Sequence, residues 1–128
     1  MIFKKEHELV RKLAKSFAEK EIAPIAEEVD KTAEFPMELY KKMGEVGFLG
    51  VKTPGSGGDH ISYVIVMEEI AKASGVASIY ISGNNSLYAA PLLKFGSEEQ
   101  KKKYLPLLSS GEIVLAFGLT EPGAGSDA

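Results

Sequence analysis

The sequence predicts an all-α fold, a bundle of five to six helices that ends in one β-strand and a glycine-rich loop. Apolar residues recur at helical spacing as far as about residue 108, and glycine and proline mark the boundaries between helices. The period then changes to a continuous apolar run over 113–119, which favours a strand. Because a lone strand leaves its backbone groups unpaired, we expect a helical domain over 1–111 and a truncated β domain from 112 to 128.

The first helix is expected over residues 6–33. Leu9, Leu13 and Phe17 share one face at a spacing of four, and charged residues fill the other face. Pro24 removes a backbone donor and crowds the preceding turn, so it predicts a kink. A shorter helix follows Pro36, and Gly47 can end it in a left-handed conformation.

Three more helices are expected over 60–74, 76–95 and 98–108. Asp59 suits the N-cap of the first, since its carboxylate can accept a free backbone N–H. Residues 76–95 are apolar nearly all round, which is typical of the central helix of a bundle. Ser97 and Gln100 have the spacing of a capping box at the start of the last helix.

Composition excludes several classes of function. The 128 residues carry 15 basic and 18 acidic side chains, a balance that gives no support to nucleic-acid binding. Cysteine is absent, so disulfides and cysteine-based metal sites are excluded. No stretch of about 20 apolar residues predicts a membrane span, and no apolar region near the start predicts a secretory signal. His7 and His60 are far apart in sequence and are interpreted as exposed residues, not ligands.

The strongest local signal is the glycine-rich loop over 120–128. Such a loop offers exposed backbone N–H groups and small side chains, so a flat or anionic ligand can approach the main chain. Thr120 and Ser126 add hydroxyl donors and acceptors. Glycine and proline also mark ordinary turns, so these residues alone leave both interpretations open.

A second signal is the polar run over 82–86 inside the apolar helix. Buried amides and hydroxyls cost about 1–3 kcal/mol each unless they are hydrogen-bonded. They can bond the neighbouring helices and backbone, or they can border a pocket for a ligand. The acidic pairs Glu27–Glu28 and Glu68–Glu69 are interpreted as solvated helix faces.

Several motifs together resemble the acyl-CoA dehydrogenase family. The sequence LTEPGAGSDA, which begins at Leu119, looks like the signature that ends the first strand of the β domain in that family. Six upstream segments occur in family order with family-like spacing: FAEKEIAP from Phe17, FP from Phe35, GFLG from Gly47, MEEIA from Met67, NSL from Asn85 and GSEEQKKKYL from Gly96. The stretches NNSLY and PLLKFGS are most similar to short-chain, butyryl-type members.

The resemblance implies the N-terminal part of an FAD-dependent oxidoreductase that converts short-chain acyl-CoA thioesters to trans-2-enoyl-CoA and passes hydride to the flavin. In that family a β domain and a C-terminal helical bundle complete the site. The catalytic base would lie beyond residue 128, so the chain would supply no catalytic residue and is expected to be inactive alone. One departure is the short segment 53–59, where the family has a longer loop with a Tyr-Gly-Gly element.

The same resemblance implies roles for two groups of residues. Those that would contact the flavin are Phe117, Leu119, Thr120, Gly125 and Ser126. Those that would contact the substrate are Leu87, Tyr88, Pro91 and Leu92 in the acyl pocket, with Ser126 bonding the CoA portion.

The implied partners are the acyl-CoA substrate and electron-transfer flavoprotein, in a homo-oligomeric enzyme. The expected compartment is the bacterial cytoplasm or, alternatively, the mitochondrial matrix after removal of a transit peptide. Two other hypotheses are kept. One is a free-standing helical module for interaction or self-association, with 113–119 as its surface. The other is a fragment of a related acyl-CoA oxidase.

Overall fold

The computed structural model describes residues 4–126 and confirms the all-α prediction. Within this range five continuous helical segments follow one another, and no β-strand is formed. The α-helices are α1 Lys5–Phe17, α2 Ala26–Thr32, α3 Met37–Glu45, α4 His60–Ala73, α5 Gly75–Ser82, α6 Ala89–Phe95 and α7 Glu98–Ser110.

The first segment contains the predicted kink. Between α1 and α2 the chain passes through a π-helical turn, Ala18–Ile22, and a 3₁₀ turn, Ala23–Ile25, which holds Pro24 near its start. The proline has no N–H to continue the α-helical bonding, so the change of helix type falls at this point. The segment ends at Ala33, which has a left-handed φ of 57°.

The predicted helix boundaries are confirmed at three caps. Gly47 has φ 81° after α3 and leads into the 3₁₀ turn Phe48–Gly50. The Asp59 carboxylate accepts from the Ser62 N–H at 2.8 Å and begins α4. Ser97 and Gln100 form the capping box of α7, in which each side chain bonds the other's backbone N–H.

The helix expected over 76–95 is one continuous segment, but its middle is not α-helical. A π-helical stretch, Gly83–Tyr88, separates α5 from α6. Its backbone bonds join residues five apart, so the polar run 82–86 turns at a wider pitch than its neighbours. The sequence pattern gave no indication of this change of pitch.

The core lies where these segments cross. Its most deeply buried members are Ala14, Ile22, Tyr40, Met43, Leu49, Val66, Ile70, Ala77 and Ile81. Gly44 lets α3 approach the end of α7 closely, because an added Cβ would lie 2.1 Å from the Ser110 carbonyl oxygen. Of the apolar face formed by Leu9, Leu13 and Phe17, only Phe17 is buried.

Residues 113–120 adopt no regular secondary structure, so the strand expected over 113–119 is not formed in the described part of the chain. A strand is stabilised by bonds to a neighbouring strand. No described segment pairs with these residues as a ladder, so an apolar sequence with strand propensity is not sufficient to form one.

Candidate functional site

The residues expected to contact a flavin lie in the last described part of the chain. After α7, which Gly111 caps, the chain exposes Phe117 and Leu119, at 47% and 58% of their surface. A tight turn follows, in which the backbones of Glu121 and Ala124 exchange two hydrogen bonds of 2.9 and 3.1 Å. We call residues 113–126 the terminal tail.

The terminal tail leaves space for a ligand beside its backbone. An added Cβ at Gly118, Gly123 or Gly125 would meet no atom within 4 Å. Thr120 and Ser126 are also exposed. An exposed aromatic ring, two hydroxyls and open glycine backbone suit one side of a flat, polar-edged cofactor such as FAD. Residues 127 and 128 of the predicted loop lie outside the described residues.

The residues expected in the acyl pocket follow the π-helical stretch. Leu87 and Tyr88 end that stretch, whereas Pro91 and Leu92 belong to α6. Leu92 lines a cleft of about 380 Å³ together with Phe95, Tyr104 and Leu115. This cleft lies between α6, α7 and the terminal tail, so one of the four residues expected to contact the substrate, Leu92, lines the same cleft as Leu115 of the tail. Leu87, Tyr88 and Pro91 do not line it.

The polar run 82–86 forms a buried junction between helices. The Asn84 side chain accepts from the Tyr40 hydroxyl at 2.9 Å and donates to the carbonyls of Leu49 at 2.6 Å and Leu108 at 3.1 Å. Burial raises the pKa of Tyr40 to about 12, so this hydroxyl stays protonated and can donate. The Asn84 amide therefore bonds residues of three segments, α3, the 3₁₀ turn and α7.

Asn85 completes this arrangement, which we call the asparagine junction. It accepts from the Lys52 N–H at 3.1 Å and donates to the carbonyls of Phe48 at 2.9 Å and Ile81 at 3.0 Å. The structure therefore supports the first interpretation of the polar run, in which it bonds neighbouring helices. The same bonds hold the π-helical stretch that Leu87 and Tyr88 end.

Sequence reasoning missed a pair of residues that joins α1 to α4. His7 was expected to be exposed, but it is buried, and its Nε2 lies 3.0 Å from Asp59 Oδ2. Its Nδ1 accepts from the Lys4 N–H at 3.1 Å, which leaves Nε2 as the donor to Asp59. Bonds from Ser62 and His7 lower the pKa of Asp59. The two residues are 52 positions apart, so no local pattern could indicate the pair.

A second long-range cluster contradicts the interpretation of Glu69 as a solvated residue. Its side chain is only 5% exposed and bonds both Arg11 and Lys72, the latter at 2.9 Å. These bonds lower the pKa of Glu69 despite its burial. The neighbouring Glu68 is 49% exposed, as expected, and receives a 2.8 Å bond from the same arginine. A buried carboxylate that is ionised and held by two cations is suited to joining helices, not to exchanging protons.

The described residues show no metal-binding group of histidine, cysteine, aspartate or glutamate. No helix between residues 4 and 126 is long and apolar enough to cross a membrane. The candidate site consists of the terminal tail, the cleft beside Leu92 and the π-helical stretch.

Comparison with known proteins agrees with this architecture. Residues 4–112 match the family model described as "Acyl-CoA dehydrogenase, N-terminal domain". The whole chain is 60% identical to 3-(aryl)acrylate reductase of Clostridium sporogenes and 55% identical to the CarC subunit of the caffeyl-CoA reductase–Etf complex of Acetobacterium woodii. It spans 35% of the length of each of these relatives.

Solved structures show the same fold. Butyryl-CoA dehydrogenase of Megasphaera elsdenii superposes with a TM-score of 0.88 at 37% identity, over 99% of this chain and 35% of the other. Acyl-CoA dehydrogenase of Bacillus anthracis, solved with FAD, gives 0.89 at 39% identity, over 98% of this chain and 22% of the other. The fold is therefore that of a helical domain found in FAD-dependent oxidoreductases. The chain belongs to the acyl-CoA dehydrogenase family.

Proposed function

We propose that the chain is the N-terminal helical domain of an FAD-dependent enzyme that removes two hydrogens from C2 and C3 of short-chain acyl-CoA thioesters, giving trans-2-enoyl-CoA. The observation that supports this most directly is the family match over 4–112, followed at once by an exposed tail whose residue types suit a flavin. Residues 1–111 form the helical domain in this proposal, and 112–128 begin a β domain that supplies the strand partners.

The described residues bind and orient, and they do not exchange protons with substrate. When bound, FAD supplies the hydride acceptor, and Phe117, Leu119, Thr120, Gly125 and Ser126 hold one side of it. Leu87, Tyr88, Pro91 and Leu92 border the acyl group, and Ser126 bonds the CoA portion. Glu69 is buried but held by two cations, so it does not suit the role of the base that takes the α-proton. The family resemblance implies that this base is a carboxylate beyond residue 128. The isolated chain is therefore inactive and does not retain FAD.

The proposal includes partners and a compartment. Electrons pass to electron-transfer flavoprotein, in keeping with the Etf complex to which the Acetobacterium woodii relative belongs. The enzyme is a homo-oligomer in the bacterial cytoplasm. A related acyl-CoA oxidase would differ in its reaction with oxygen, and a free-standing interaction module would bind neither flavin nor thioester.

Flavin bleaching tests the proposal. The full-length protein that contains this chain is purified, and its visible flavin absorbance is followed without oxygen as butyryl-CoA is added. We expect bleaching with the full-length protein and none with residues 1–128 mixed with FAD. A full-length protein without flavin, or one that no acyl-CoA bleaches, contradicts the proposal. Rapid recovery of absorbance in air favours the oxidase.

A second candidate function is the reduction of 3-aryl-substituted acrylates at the same C2–C3 bond. The observation that favours it is sequence identity: 60% and 55% with two reductases whose names state aryl or caffeyl substrates, against 47% with the short-chain specific acyl-CoA dehydrogenase of Clostridium acetobutylicum. The same carbon atoms react in both candidates. They differ in the direction of electron flow and in the group that the acyl pocket must accommodate.

A further inference from the structure

A cleft of about 560 Å³ lies between α1, the 3₁₀ turn Phe48–Gly50, α4 and the end of α7, apart from the candidate site. Most of its lining is apolar, and all four elements contribute side chains to it: Val10, Leu13, Phe48, Val66 and Pro106. Among the described residues that line it, Glu6 alone is charged. We call it the apolar cleft. Its volume lies within the range of about 300–1,000 Å³ that is typical of small-ligand sites.

A second cleft, of about 610 Å³, adjoins the apolar cleft. Three residues line both clefts, so the two meet there: Thr53, Pro106 and Ser109. The second cleft is also lined by Lys101 and Lys102 of α7, and by Glu98, which bonds Lys101 at 2.9 Å. Positive charge therefore exceeds negative charge among the described residues that line it, and we call it the basic cleft.

Two polar side chains in these clefts are available to a ligand. Within residues 4–126, Lys102 has no ion pair and the Ser109 hydroxyl has no hydrogen bond. Lys102 and Ser109 are seven residues apart, so they lie on the same face of α7. Gly50 leaves the hydroxyl accessible, since an added Cβ would lie 2.8 Å from Ser109 Oγ. A hydroxyl donor at the meeting point and an ammonium group nearby in the basic cleft suit an anion.

We propose that the two clefts form one binding site for a fatty carboxylate, separate from the acyl pocket of the proposed function. The alkyl chain lies in the apolar cleft. The carboxylate lies where the clefts meet, so that the Ser109 hydroxyl donates to it and the lysines of the basic cleft attract it. Glu6 lines the apolar cleft only and disfavours a carboxylate there, which orients the ligand. The residues proposed to contact the flavin or the acyl group line neither cleft.

Isothermal titration calorimetry with the full-length protein tests the proposal. Decanoate is added to the protein alone and to protein saturated with butyryl-CoA, which fills the acyl pocket. Leu13→Gln alters the apolar cleft, and Lys102→Gln alters the basic cleft. The matched controls are Leu9→Gln, at another exposed leucine of α1, and Lys103→Gln, at the adjacent lysine of α7, because neither residue lines either cleft. Decanol and butanoate separate the contribution of the charge from that of the alkyl chain.

We expect decanoate to bind whether or not butyryl-CoA is present. Its Kd should rise about tenfold in Leu13→Gln and about threefold in Lys102→Gln, and it should stay unchanged in both controls. Decanol should bind with an affinity that Lys102→Gln does not alter, and butanoate should not bind measurably. Three results would each overturn the inference: no decanoate binding, binding that butyryl-CoA abolishes, or equal weakening in test and control variants. The flavin-bleaching experiment tests the proposed function separately, so failure of one leaves the other standing.

Discussion

The asparagine junction and the terminal tail are both polar or glycine-rich segments next to apolar residues, but they differ in burial and in hydrogen bonding. At the junction, two amides are buried and every described side-chain bond is made to another part of the same chain. In the tail, apolar side chains are exposed and most backbone groups bond nothing within the described residues.

The difference depends on whether the bonding partners of a segment lie within this chain. The junction has its partners in α3, α7 and the 3₁₀ turn, so it folds into one arrangement. The tail carries residues suited to a strand and to a cofactor, but a strand needs a neighbour and a binding loop needs its ligand. Substitutions at the junction should therefore affect stability, and those in the tail should affect binding.

The largest effect is expected for Asn84→Leu. The change leaves the Tyr40 hydroxyl and the Leu49 carbonyl buried without a partner, and the Leu108 carbonyl keeps only its bond from the Gly111 N–H. At about 1–3 kcal/mol for each such group, the free energy of unfolding should fall by about 4 kcal/mol. Urea denaturation followed by circular dichroism measures the change. Tyr40→Phe is the control, since it leaves only the Asn84 side-chain oxygen without a partner and should cost about 2 kcal/mol. A loss in Asn84→Leu no larger than in the control contradicts the role of the junction.

The helix crossing next to the junction should be almost as sensitive. Gly44→Ala places a Cβ 2.1 Å from the Ser110 carbonyl oxygen, which is backbone and cannot rotate away. Forcing α3 from α7 should lower the free energy of unfolding by about 3 kcal/mol. The matched control, Gly75→Ala, adds the same atom in open space and should be neutral or stabilising by about 0.5 kcal/mol. Equal melting temperatures for the two variants would contradict this account of the crossing.

A third test concerns Glu69, which joins α1 to α4 away from the junction. Glu69→Gln removes the charge between Arg11 and Lys72 and should lower the free energy of unfolding by about 2 kcal/mol. Glu68→Gln is the matched control. Glu68 is half exposed and should change stability by less than about 0.5 kcal/mol.

The pH dependence of the same carboxylate follows from its lowered pKa. The stabilisation by Glu69 is fully present above its ordinary pKa of 4.5 and is lost as the pH falls through the lower pKa of the folded state. Wild type should therefore lose more stability than Glu69→Gln between neutral pH and pH values below about 4. Parallel pH profiles for the two proteins would show that Glu69 is not held as the structure indicates.

Sequence reasoning predicted the features that depend on neighbouring residues. The kink at Pro24, the left-handed Gly47, the Asp59 cap and the capping box of α7 are all confirmed, because each depends on residues within a few positions. The all-α fold was predicted for the same reason, since amphipathic spacing is also local.

Contacts between distant residues were not predictable in this way. His7 and Glu69 were taken as exposed, but both are buried and bond residues 52 and 58 positions away, Asp59 and Arg11. The π-helical stretch was missed, and Asn84 and Asn85 within it also bond residues of other segments. Which of the proposed flavin and substrate residues share one site depends in turn on structure beyond the described residues.

The smallest effect on stability is expected in the terminal tail. Phe117→Ala and Leu119→Ala remove side chains that are about half exposed and belong to no helix or strand. In the 128-residue chain each should change the free energy of unfolding by less than about 0.5 kcal/mol. In the full-length flavoprotein the same changes should weaken FAD retention, which dialysis and flavin fluorescence measure. A loss above about 1 kcal/mol in the short chain would mean that the tail packs on the bundle as part of its core. Unchanged FAD retention would instead remove these residues from the flavin site.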